Sequence, residues 1–95
     1  MAFLAAAAPS LASCGGALYA AQINAASSKL AQAKEIGADN LAAYEYYYAT
    51  SHLTKAMSEA AEGDYSDAID FAEVAQQYAD KAINLSREAR GGAGR

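Results

Sequence analysis

A chain of 95 residues is long enough for one domain and too short for two independent cores. Hydrophobic residues make up 54%, but Leu, Ile, Val and Phe together number only 14, so Ala supplies much of that share and the core is thin. The net charge of -4, with Lys29, Lys34, Lys55, Lys81, Arg87, Arg90 and Arg95 scattered and never in a run, argues against a nucleic-acid partner, whose phosphates call for clustered cations. A single cysteine excludes an intramolecular disulfide.

The first predicted element is not part of the domain. Phe3 to Ala12 is apolar or small, too short for a bilayer span of about 20 residues but of signal-peptide length. It runs into Leu11-Ala12-Ser13-Cys14, which resembles the lipobox of bacterial lipoproteins: an aliphatic residue, two small residues, then the acylated cysteine. That resemblance implies a signal peptide over 1–13, cleavage before Cys14 and a diacylglycerol on its sulfur, with no other cofactor. Gly15-Gly16 then reads as a flexible tether. The absence of Asp after the cysteine implies, by the same resemblance, the outer membrane facing the periplasm. Met1-Ala2 lacks the basic start that signal peptides carry. Either the start lies upstream, or the chain has been trimmed, or the lipobox is accidental, and an accidental lipobox leaves a soluble helical interaction module.

The remaining apolar residues keep helical spacing. The first helix is expected over about 17–36, with Tyr19, Ile23, Ala26, Leu30 and Ala33 on one face and Gly37 just past its end. The second spans about 41–62, capped by Asp39 or Asn40, with Ala42, Tyr46, Ala49, Leu53, Ala56 and Ala60 inward and Gly63 closing it. The third spans about 66–90, capped by Asp64 or Ser66. Ala68, Ala72, Ala75, Ala79 and Ala82 form its stripe, flanked by Phe71, Tyr78 and Leu85, and Arg87 and Arg90 complement its dipole. Residues 91–95 read as a disordered tail. Short connections make neighbours antiparallel, so an all-α, elongated, up-down-up three-helix bundle or helical layer is predicted, without strands.

Gly37-Ala38, Ala42, Tyr44-Glu45, Ala49, Leu53, Ala56, Gly63-Asp64-Tyr65, Ala68, Ala72, Ala75, Ala79 and Ala82, at these spacings, resemble a family of Gram-negative envelope lipoproteins, the domain of unknown function 4398. The likeness covers about Leu18 to Ala89. Where that family often has Pro after the position of Ala42, this chain has Ala43. The resemblance implies a lipobox, a helical periplasmic domain and no established activity. Gly63 to Ile69 is also similar to the turn of a tetratricopeptide unit, but such arrays need about three repeats.

No constellation for chemistry emerges. His52 has Glu45 and Glu59 seven residues away on either side, too far for a compact metal site, so no metal is expected. Cys14 has no partner base, and Asp67, Asp70, Glu73 and Asp80 read as a solvated helix face, so no enzyme is expected. The informative feature is aromatic: Tyr44, Tyr46, Tyr47 and Tyr48 crowd into five residues. At about 100° per residue Tyr46 joins the core stripe, while Tyr44, Tyr47 and Tyr48 lie on the other side with Ser51 and Lys55. These three are a candidate partner-binding patch. Alternatively, in a layer with the second helix in the middle, they cover the first helix near Leu30 and Ile36. The expected function is a lipid-anchored structural or protein-binding adaptor, held to the membrane and bound to an envelope protein or to itself. A carrier of an acyl chain, small molecule or peptide in a groove between Ala-lined helices is the alternative.

Overall fold

The computed structural model describes residues 14–93, all in helices or the turns between them. Four helices follow in order: α1 Cys14–Glu35, a short α2 Ala38–Leu41, α3 Ala43–Ala61 and α4 Tyr65–Ala93. The fold is all-α, as expected, with three long helices. The lipobox residues Leu11, Ala12 and Ser13 and the expected signal segment 1–13 lie outside the described residues.

The turns show how the chain stops each helix. Gly37 has φ 85° and Gly63 φ 83°, the left-handed conformation that a Cβ penalises. At Gly63 the amides of Gly63 and Asp64 donate to the carbonyls of Ala60 and Glu59, a Schellman closure. Gly37→Ala is expected to cost about 1–2 kcal/mol from the backbone alone. A Cβ there also meets Arg90 Nη2 at 3.4 Å. A urea titration reads this as a lower midpoint.

Several boundaries differ from expectation. Asp39 and Asn40 do not cap the second long helix. The chain makes the extra turn α2 behind Gly37 and breaks at Ala42 (φ -139°, ψ 56°), and neither α2 nor α3 has a side-chain cap. Asp39 instead accepts a 2.9 Å bond from Lys34. Ala43 is therefore the first residue of α3, the position where Pro loses nothing by lacking an N–H. Of the two caps offered for the last helix it is Asp64, whose Oδ1 accepts from the Asp67 amide at 3.2 Å. Gly15 and Gly16 lie in the first turn of α1 and not in a tether, with Gly15 against the Tyr65 ring. The last helix runs through Ala93, so 91–93 are helical where a tail was expected.

The order of the helices in the layer also differs. The last long helix, α4, packs along both α1 and α3, which touch each other sparingly, so α4 and not α3 is the middle element. It runs parallel to α1, as Lys29–Asp80 (2.7 Å), the Gln76–Gln22 side-chain bond and Arg90 Nη2 donating to the Ile36 carbonyl (2.6 Å) show. The last of these satisfies a carbonyl left over at the end of α1. The exposed Lys29–Asp80 pair contributes at most about 1 kcal/mol and mainly marks register.

Burial follows the Ala stripes. Ala26 and Ala33 of α1, Ala49 and Ala56 of α3, and Ala68, Ala72, Ala75, Ala79 and Ala82 of α4 are fully buried. Leu30 and Ile83 are the only large aliphatic residues among the buried ones described. One cluster joins Ala33, Ala38, Ala42, Ala82 and Ile83 beneath Ile36 and Tyr46; the next joins Leu30, Ala49 and Ala79 beneath Tyr46, Leu53 and Tyr78. Small side chains let the three backbones approach closely, which accounts for a stable seam with so few large residues. Ser86 is the exception: its Oγ is buried without a hydrogen-bond partner among the described residues. Ser86→Ala is expected to raise stability by about 1 kcal/mol, read as a higher denaturant midpoint, because it removes a desolvated hydroxyl and leaves the shape unchanged.

Candidate functional site

Outside the Ala seam, α3 and α4 build a second, mostly aromatic surface. Along α3, Tyr44, Tyr48, His52, Lys55 and Glu59 follow spacings of four, four, three and four. Along α4, Asp67, Phe71, Val74, Tyr78, Lys81 and Leu85 follow four, three, four, three and four. Each set is one helix face, and the two meet side by side. The Tyr48 ring lies 4.2 Å from that of Tyr78 and stacks at 4.3 Å on His52, which approaches Phe71 at 5.9 Å; Tyr44 extends the row, 5.7 Å from Tyr48. Offset and tilted rings at these separations attract by about 0.5–1.5 kcal/mol per pair beyond burial.

Two lysines lie over this row. Lys81 Nζ is 4.6 Å from the Tyr78 centroid and Lys55 Nζ 5.2 Å from that of Phe71. Among the described residues neither pairs with a carboxylate at ion-pair distance; the pairs found are Lys29–Asp80 and Lys34–Asp39. The His52 Nδ1 lies 3.0 Å from the Tyr48 carbonyl, which only accepts, so that nitrogen carries the proton. His52 is thus a half-buried member of the stack.

The three tyrosines of the expected patch separate. Tyr44 is 66% exposed and Tyr47 55% exposed. Tyr48 is half-buried, and it covers α4 through Tyr78 and not α1, because α4 is the middle helix. Tyr46 turns inward toward the clusters of Leu30 and Ile36 and meets Tyr47 edge-on at 5.0 Å. Sequence reasoning missed His52, Phe71 and Tyr78 as parts of this face. The i, i+4 step from Tyr48 to His52 was a usable signal, but the cross-helix partners depend on register. Cys14 is the first residue of α1.

The same face ends in acid at the turn from α3 to α4, where carboxylate oxygens of Glu59, Asp64 and Asp67 lie within 4.8 Å of one another. Helical spacing does not mark this grouping, because the turn folds the residues together. Its consequence is electrostatic. A hydrogen bond with Asp64 and then its charge hold the Asp67 carboxyl above its ordinary 3.8, and partial desolvation followed by Glu62, Asp64 and Asp67 holds Glu59 above 4.5. A carboxyl raised on folding binds more protons in the native state, so its penalty is present at neutral pH and is relieved as pH falls through the folded value. Asp39 behaves oppositely, held below 3.8 by Lys34, and its contribution is lost only further into acid. Stability is therefore expected to rise as pH falls from 7 through the folded values of Glu59 and Asp67, and to fall only below about 3.8, where the contribution of Asp39 is lost. Melting curves across that range test it, and Asp67→Asn should flatten the rise.

A surface depression of about 210 Å³ is lined by Gln22, Glu73, Gln76, Gln77 and Asp80. It is polar and smaller than the 300 Å³ or so at which ligand pockets begin. No described helix is long and apolar enough to cross a membrane.

Comparison with known proteins gives one match. The family model described as Domain of unknown function (DUF4398) matches residues 21–93, from the second turn of α1 to the end of α4. No curated protein and no solved structure matches the chain.

Proposed function

Since the chain belongs to the Domain of unknown function (DUF4398) family, we propose that it is a non-enzymatic, lipid-anchored helical protein of the bacterial cell envelope, a structural or protein-binding adaptor at the outer membrane facing the periplasm. The observation that carries this is the match of the family model over residues 21–93, with the Leu11-Ala12-Ser13-Cys14 sequence just ahead of it. Gly15 near the start of α1 lies against Tyr65 at the start of α4, so an anchor on Cys14 would join the bundle at that end.

The working surface in this proposal is the aromatic face of α3 and α4, with Tyr44 and Tyr47 exposed. Aromatic side chains with a polar tip and neighbouring cations suit a protein partner. The fully buried Ala seam favours this over a carrier, since the space between the helices is filled. The tetratricopeptide-like turn is confined to one helix pair, which gives peptide binding no concave array to use.

Membrane fractionation of the Cys14→Ala variant tests the anchor. The parent chain is expected in the membrane fraction and the variant in the soluble one. Identical fractionation of the two refutes the anchor.

A further inference from the structure

We infer that the segment from Gly37 to Ala42, which carries α2, is a hinged strap. It opens as a unit while the three long helices stay packed, and it uncovers an apolar patch at the end of the bundle remote from Cys14. The inference goes beyond the proposed function and does not depend on the anchor.

Little holds the strap closed. It is bounded by Gly37 at φ 85° and by the break at Ala42, and side chains cap neither α2 nor the start of α3. Its own amide bonds are few. Asn40 and Leu41 donate to the Gly37 carbonyl at 3.0 and 2.9 Å, and Ala42 donates to that of Ala38 at 2.9 Å. Its buried side chains are the methyl groups of Ala38 and Ala42, while Leu41, its one large apolar residue, is 44% exposed. The polar tie across the hinge is the Lys34–Asp39 pair. A single helical turn is marginal in water. Releasing its backbone returns conformational entropy, which the burial of two methyl groups opposes only weakly.

The rest of the bundle has its own fastenings. Arg90 Nη2 donates to the carbonyl of Ile36, the residue before the hinge, so the end of α1 stays tied to α4 when the strap leaves. The cluster of Leu30, Ala49 and Ala79 contains no residue of the strap. Opening strips the other cluster: Ala38 and Ala42 depart, and Ala33, Ala82, Ile83 and the ring of Tyr46 meet water. This patch lies about 33 Å along α1 from Cys14.

A buried hydroxyl favours the open form. Ser86 is 0% exposed, and its Oγ has no hydrogen-bond partner among the described residues. It follows Ala82 by one turn on the same face of α4 and precedes Arg90 by another. The body of α3 does not reach it. Tyr48 faces Tyr78 in an antiparallel pair, which sets Ala43, the first residue of α3, at the level of Ile83. The strap and the last turn of α1 are the elements left at the level of Ser86. When the strap lifts, water reaches the hydroxyl and the cost of burying it unpaired disappears.

Native-state hydrogen exchange of the full chain, followed by NMR at rising urea below the unfolding transition, is the test. The amides of Asn40, Leu41 and Ala42 are expected to be protected about tenfold or more less than those of Ala79 and Ala82. Urea should scarcely change their exchange, because a local opening exposes little surface. Ser86→Ala, which keeps the shape, should slow the strap amides about fivefold, the factor that matches a buried unpaired hydroxyl. Strap amides that exchange only together with those of α4, with the same urea dependence, overturn the strap. So does a Ser86→Ala variant that slows the α4 amides and leaves the strap amides unchanged, since the hydroxyl then does not lie beneath α2.

Discussion

Replacing Leu30 with Ala is expected to cost about 2–5 kcal/mol and to leave the chain largely unfolded at physiological temperature. The reason is scarcity. Leu30 is 7% exposed and is the one large aliphatic side chain of α1 that is buried, wedged against Ala49 of α3 and Ala79 of α4. All three long helices meet there, and its neighbours are mostly methyl groups that cannot move in to fill the space. Small domains have stabilities of only about 5–15 kcal/mol, and a thin Ala core places this one low in that range. Thermal melting by circular dichroism should show a fall of at least about 8 °C. A smaller fall means that Tyr46, Leu53 and Tyr78 close over the site, and that the core is more plastic than its packing implies.

Replacing Ala79 with Leu, which adds apolar surface at the same junction, is expected to destabilise as well, by about 1–3 kcal/mol. Ala79 is fully buried in the middle helix, facing both Leu30 and Ala49. Three added carbons at this fully buried junction force α4 away from one flanking helix, and the loss extends along the stripe from Ala72 to Ala82. Ala31→Leu supplies the control. Ala31 is exposed on the same bundle, and the same chemical change there should stay within about 0.5 kcal/mol. Equal denaturant midpoints for the two variants would mean that Ala at position 79 reflects helix propensity and not close packing.

These two substitutions also show which parts of the fold are visible in the sequence. The spacing of Ala68, Ala72, Ala75, Ala79 and Ala82 marks the inward face of α4 because a helix repeats every 3.6 residues, and every member is buried. Gly37 and Gly63 mark the turns because both need a positive φ. Local signals failed where a tertiary contact competed with them. Asp39 is a good cap by type, but Lys34 engages it, and α2 intervenes before the long helix begins. Gly15 and Gly16 are poor helix formers, costing up to about 1 kcal/mol each relative to Ala, yet they are helical beside Tyr65, where a Cβ would make only ordinary contact. Nothing within 4 Å accounts for the helical Gly91 and Gly92. The middle position of α4 depends on how broad its buried stripe is compared with that of α3, and periodicity alone does not rank the two.

The aromatic face was half visible. Tyr44 and Tyr48 could be placed on one side of α3 by angle, and Lys55 with them. Phe71 and Tyr78 were noted only as flanks of the Ala stripe, because their meeting with His52 and Tyr48 is set by the register across the Gly63 turn. The acidic end of the face arises the same way, from residues up to eight apart that the turn folds together.

An intact mass of the protein, expressed in a Gram-negative host from its complete native start, decides whether Cys14 is the anchor. A chain that begins at Cys14 and carries acyl groups is the expected result, and it makes residues 14–95 the mature protein. An unmodified chain that retains Met1 to Ser13 despite a complete upstream start would contradict it, and would leave a soluble helical module whose aromatic face acts without a membrane.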